Sequence, residues 1–372
     1  MRLAENIGAS KANFKVVLER IYAGAVERDA NPAFPFEPFK ELAATNVLGL
    51  PVPDPPIRSF GRRGSFADEW QVLRAAAKAD SSVGRILDGH FNGVERISVL
   101  TPEPLRSREL EAVAAGELLV SVWGADPIPG EGPPAQLVET KDGPRIEGVK
   151  TFCSGASGLN RALVLVRGPE TGPPLVAYID LSEGVEIDRS WYKASGMRSS
   201  ESHRVVFHNT PVLAILGEPG ELLREPYFSR DAIRTAVAWA GIADRAVEAA
   251  LQTLAAKSGD REPDDIVSLA AGRMLTAQQT MNRWIEHAAH QADANAKASL
   301  TGFSIHLRET IAASCRTILD EAARATGSHP FATASDLDRA RRDLEVFLLQ
   351  HRLEPALARA GRQAIQDRNP RS

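Results

Sequence analysis

The spacing of apolar residues changes twice along this chain, and those two changes restrict the folds open to it more than any single motif does. Up to about residue 115, apolar side chains recur at helical spacing over 13–28, 39–48, 66–79, 81–100 and 106–115. From 118 to 208 the pattern becomes short segments at 118–123, 135–139, 145–152, 161–166, 175–180 and 204–208, parted by glycine, proline or asparagine. That spacing predicts a β domain of about a hundred residues. From 231 onward four alanine-rich amphipathic stretches, 232–257, 264–295, 300–326 and 337–362, predict long helices with short breaks between them. The expectation is an α+β chain with an N-terminal α-helical domain over 1–116, a central β domain over 117–215 and a C-terminal four-helix bundle over 216–372.

With 372 residues such a chain can bury a large core, and 43% hydrophobic with 25% charged residues is ordinary for a soluble globular protein. A net charge of -4 gives no electrostatic case for a nucleic-acid partner. No window reaches 18 uninterrupted apolar residues and the N-terminus lacks the apolar core of a signal peptide, so no membrane partner is expected. Cys153 and Cys315 are far apart and form no metal-ligand spacing. They fit a reducing, cytoplasmic setting, and no metal site is expected. His287 and His290, three apart on a predicted helix beside Glu286, read as a solvated face rather than a metal pair.

The run 146–156, IEGVKTFCSGA, carries the chemistry. Gly148 and Gly155 lack side chains and let backbone approach a flat ring closely, Phe152 offers an aromatic face, and Ser154 offers a hydroxyl and an amide. A plain turn between two strands uses the same residue types, so the run alone is a weak signal.

Taken with GMRSSESHRVVF (196–207) and RRDLEVFLLQH (341–351), in this order between helical regions, the chain resembles the acyl-CoA dehydrogenase superfamily of flavoproteins over nearly its whole length. The resemblance implies a flavin, FAD or FMN, with Phe152 facing the ring, Ser154 beside flavin N5, Gly155 next to it, and Trp123 where relatives begin a loop over the flavin's pyrimidine edge. Trp191, Gly196, Met197, Arg198, Ser202, His203 and Phe207 are similar to the strand that closes the family's β domain. Counting from Arg342 and Asp343, the position of the family's glutamate base falls on His351, whose imidazole titrates near neutral pH. GRILDGH (84–90) resembles a helix segment of related flavin monooxygenases, including those like dibenzothiophene monooxygenase, in which His90 would join Ser154 and His351.

The leading expectation is therefore oxidation of a CH–CH bond in an acyl-CoA-like thioester, with His351 taking the α-proton and hydride passing to flavin N5. A second reading is a two-component monooxygenase that receives reduced flavin from a partner reductase, and a third is a flavin-free scaffold of the same fold. The resemblance also implies a homodimer or homotetramer. Two stretches depart from the family: 125–136 holds adjacent prolines where relatives have a threonine, glutamate, glycine and serine loop, and 257–267 is acidic, with Arg261 but no aromatic partner for an adenosine group. The second departure favours FMN.

Overall fold

A computed structural model describes residues 2–53, 65–169, 172–350 and 352–368, with side chains described from residue 13 onward. Six helices come first: α1 (Arg2–Ala23), α2 (Ala25–Ala30), α3 (Phe36–Ala44), α4 (Phe66–Ala79), α5 (Ser81–Leu100) and α6 (Leu105–Ala114). Ser65 caps α4 by accepting from the Asp68 amide, and Asp80 caps α5 by accepting from the Ser82 and Val83 amides. Helix α5 is buried along most of its length and is the spine of the N-terminal half, packed on α4, on the first strand and on the bundle.

The strands are β1 (Val120–Trp123), β2 (Gln136–Thr140), β3 (Gly143–Cys153), β4 (Arg161–Val166), β5 (Leu175–Asp180), β6 (Val185–Asp188) and β7 (His203–Ile215). They form one sheet in the order β1-β4-β5-β7-β3-β2, with β6 also paired to β7. Strand β7 joins the two ends of that order: its first half pairs β3 and β6, as in Val149↔Val206 and Glu186↔Val206, and its last residues pair β5. Two register shifts interrupt the β3·β7 ladder, one between Ile146 and Gly148 and one between Lys150 and Cys153. The second leaves Phe152 with a φ of 52°, a left-handed backbone that an aromatic residue rarely adopts.

The C-terminal helices are α7 (Tyr227–Ser258), α8 (Asp265–Ala294), α9 (Thr301–Thr326), α10 (His329–Ala332), α11 (Asp336–Phe347) and α12 (Glu354–Gln366). Alanine and glycine let them approach closely: a Cβ on Gly241 of α7 would lie 2.3 Å from the Arg74 carbonyl oxygen of α4. The helix expected over 337–362 is instead two helices, α11 and α12. Pro355 sits in the first turn of α12, where its missing N–H costs nothing and where it stops the preceding helix from running through. β6 was not expected either, being four residues long and only partly buried.

Candidate active site

Helix α5, the ends of β1 and β3, the loop before β7, and helices α7, α9 and α11 surround a cavity of about 650 Å³. The β side is built first by local chemistry. Lys150, buried in β3, donates to the Gly124 carbonyl at 3.2 Å and to Asp126 at 2.7 Å, and the Thr151 amide donates to the Ala125 carbonyl at 3.1 Å. These bonds lay residues 124–126 along β3, so that Gly124, Ala125, Phe152 and Ser154 face the same space. Strand alternation sends Cys153 the other way into the core, where burial raises its thiol pKa.

Ser154 Oγ lies 2.8 Å from Ser202 Oγ, which lies 2.8 Å from Ser200 Oγ, and all three serines line the cavity. Three hydroxyls hold three protons and the two bonds between them use two, so one end of the chain keeps an O–H to donate. The Trp123 indole N–H donates to the Ser154 carbonyl at 3.1 Å and fixes its backbone. Phe152 is 58% exposed and meets Trp191 edge to face at 4.9 Å between ring centroids. A strained, exposed aromatic at a bulge beside a cavity marks a position held for contact.

The loop carrying Ser200 and Ser202 is pinned to α11. A Cβ at Gly196 would lie 2.2 Å from the Arg342 carbonyl oxygen, and Asp343 accepts from the Met197 amide at 2.5 Å and from the Ser81 hydroxyl. Burial without a cation partner pushes the Asp343 carboxyl up to about 6. Arg342 is held at 2.6 Å by Asp29, at 2.8 Å by Asp338 and at 2.7 Å by the Ser195 carbonyl, which raises its pKa. The pair that sets the family register is thus engaged within the chain.

The helical side is charged. Arg85, Gly89 and Asn92 of α5 share one face, at the three-and-four spacing of a helix, and that face looks into the cavity. Beneath them Arg234 is fully buried between Glu69 at 2.6 Å and Glu95 at 2.8 Å. Asp231 lines the cavity, bonded to Arg96 at 2.6 Å through one oxygen, while its Oδ1 has no hydrogen-bond partner among the described residues. Desolvation pushes its carboxyl up to about 6. Asp231 and Arg308, which also reaches the cavity from α9, are candidate residues that reading the sequence missed. A charged residue on an amphipathic helix looks like a solvated face until the packing is known.

The expected site residues divide. Phe152 and Ser154 line the cavity; Trp123 is buried behind Ser154, and Gly155 turns the chain at φ 78° with its amide bonded to the Ser200 carbonyl. His90 does not reach it. One residue on from Gly89 turns the side chain by about 100°, and His90 is 0% exposed between β1 and the turn at Val47–Gly49. Its Nδ1 accepts from the Val120 amide at 3.3 Å and its Nε2 donates to the Leu48 carbonyl at 3.0 Å, so neither nitrogen is left for a ligand. Burial lowers its pKa to about 4 and keeps it neutral. The geometry corrects the expectation for His90: it is a structural link. His351 lies outside the described residues; its neighbours Leu349 and Gln350 line the cavity.

A cavity enclosed by the end of a β domain and a helical bundle, after an N-terminal helical layer, is the arrangement of the acyl-CoA dehydrogenase-like fold, and the chain has that fold. FMN-bound TdsC from Paenibacillus sp. A11-2 superposes with a TM-score of 0.83 at 18% identity, over 97% of this chain and 98% of that one. In sequence, dibenzothiophene monooxygenase from Rhodococcus erythropolis is 30% identical over 226 residues, which is 56% of this chain and 49% of that protein. The chain therefore matches about half the length of that relative. Similarity to a probable FMNH2-dependent monooxygenase, SfnC, from Pseudomonas putida runs over 93% of this chain and 92% of that protein at 25% identity. No protein-family model matches the chain.

Proposed function

We propose that this chain is a flavin-dependent monooxygenase that takes reduced FMN from a separate flavin reductase and oxygenates a small organic molecule. The observation that carries the reading is the Ser154–Ser202–Ser200 hydroxyl chain beside exposed Phe152, on one wall of a cavity whose other wall is helical. Those residues fit an isoalloxazine: small Gly124 and Ala125 admit a flat ring, Phe152 covers it, and the spare serine O–H donates to an acceptor on its edge. Bound in reduced form, a flavin supplies the electrons that activate dioxygen. The likeness to monooxygenases in sequence favours oxygenation over the acyl-CoA dehydrogenation that leads the sequence reading.

FMN is proposed over FAD. In 257–267 no cation and aromatic pair offers itself to an adenosine, and Asp264 spends its carboxylate capping α8. On the protein side, Ser154 positions the ring edge, Trp123 holds Ser154, and the apolar ring of Phe347 with Met197 and Val346 keeps water out. Asp231 is placed to hold or release a proton at its free Oδ1, and His351 remains a proposed acid–base group. Exposed Ile266 and Leu269 on α8 fit a homo-oligomer.

The test is anaerobic titration of purified protein with reduced FMN and reduced FAD, followed by oxygen. Tighter binding of reduced FMN, and oxygen incorporated into product when a reductase is added, is the expected result. Protein that binds neither flavin, or that reduces tightly held FAD with an acyl-CoA in the absence of oxygen, would overturn the proposal.

A further inference from the structure

We infer that Arg308 forms, with Arg85, an anion-binding subsite on the helical wall of the cavity, and that the substrate is a small organic anion whose apolar body lies against that wall. The inference rests on reading this cavity as the catalytic site.

The buried arginines around the cavity have carboxylate partners. Arg74 is 2.7 Å from Asp244, Arg85 is 2.7 Å from Asp88, Arg96 is 2.6 Å from Asp231, Arg230 is 2.7 Å from Glu95 and Arg234 is 2.6 Å from Glu69. Arg308 differs. It has no ion pair among the described residues, and its Nε and Nη2 are buried without a hydrogen-bond partner. Its guanidinium rests 5.6 Å from the centre of the Trp239 ring. A cation over an indole recovers less than burying a guanidinium costs. Burial lowers its pKa to about 10, which leaves it charged at neutral pH.

The carboxylate that acts on it through space is Asp88. Asp88 is already committed, with Arg85 at 2.7 Å, Asn92 at 3.2 Å and Thr235 at 3.2 Å on its oxygens. Two guanidinium groups thus share one carboxylate, and this part of the wall keeps one positive charge. The Nε–Nη2 edge of an arginine is the edge that grips a carboxylate through two parallel bonds, as Arg74 does here with Asp244 at 2.7 and 2.9 Å. Around it Phe228, Val346, Phe347 and Leu349 are apolar. One charged anchor in an apolar wall selects a ligand with one oxyanion, of carboxylate or sulfonate type, on an apolar frame. Arg308 stands on α9, across the bundle side from the serines and Phe152, so the anion belongs to the substrate and not to the flavin.

The experiment uses calorimetry on flavin-free protein at pH 7.5 with benzoate and benzamide, which share a shape and differ in charge. Wild type is expected to prefer benzoate. Arg308→Gln is expected to weaken benzoate about tenfold or more while leaving benzamide within about twofold, and Arg308→Lys to fall between. If Arg308→Gln does not fold, the benzoate preference must still drop about threefold in Arg308→Lys. Equal benzoate binding by wild type and variants, or no benzoate binding by wild type, overturns the subsite. FMN and riboflavin are titrated in parallel: a variant that loses FMN alone, with benzoate unchanged, assigns the anion to the flavin phosphate and also overturns it. Wild type that binds benzoate through Arg308 but neither flavin would sink the flavin reading and leave the subsite standing.

Discussion

The two walls of the cavity are made of different physics. On the β side, neutral groups hold each other: serine hydroxyls in a chain, an indole N–H on the Ser154 carbonyl, and backbone bonds from 124–126 to β3. On the helical side, charges are buried in a network whose valences do not all close, with Arg308 unpaired and Asp231 Oδ1 unpartnered. Neutral hydrogen bonds come near to balance against water, whereas a buried charge must be answered by another. The β wall is thus a shaped surface for a flat ring, and the helical wall is where ligand charge is read.

Four measurements can break or sharpen that contrast. The largest effect is expected from Arg234→Met, which leaves Glu69 and Glu95 buried without their shared cation. A loss of about 3–5 kcal/mol in denaturant unfolding is expected, and a variant as stable as wild type would show that the charged wall is not held by this network.

His90 tests the seam behind the β wall. Its folded pKa, lowered from 6.5 to about 4, lies below the unfolded value. As pH falls from 6.5 the unfolded chain takes up a proton that the folded chain refuses, so stability drops by about 3 kcal/mol by pH 4. His90→Gln removes that acid sensitivity and keeps turnover; a variant that folds normally but is inactive would return His90 to the active site.

Asp343 has the opposite sign. Its carboxyl, raised from 3.8 to about 6, binds a proton in the folded chain that the unfolded chain has already released. Stability is therefore highest below pH 3.8 for this group and is lost as pH rises through 6, by about 2–3 kcal/mol. Asp343→Asn can still accept from the Met197 amide and bond the Ser81 hydroxyl, so its melting temperature relative to wild type is expected to rise between pH 5 and pH 8. A pH-independent difference would remove the buried carboxylate from the account.

The smallest effect belongs to the neutral wall. Ser154→Ala removes one hydroxyl from the chain, and reduced-flavin affinity measured by fluorescence should fall about fivefold, the worth of about 1 kcal/mol. Unchanged affinity would mean that the serine chain does not touch the flavin.

Much of the fold was legible before the structure. Strands β4 and β5 and helix α4 fall on the expected residues because each is a clean apolar period bounded by turn residues or a cap. Ser154 and Phe152 were legible through a short local run that keeps its meaning wherever the strand is placed. His90 was not, since one helix position, about 100° of rotation, separates a cavity residue from a core one, and only the packing of α5 on β1 sets that angle.

By itself the sequence determined the periods: which stretches coil, which extend, and where serine and an aromatic end a strand, because those are properties of neighbouring residues. The tertiary structure alone decided which charges meet. Glu69, Glu95 and Asp231 lie far apart along the chain from one another or from the arginines they bind, and whether a buried cation is answered or left for a ligand depends on helices that approach only in the folded molecule.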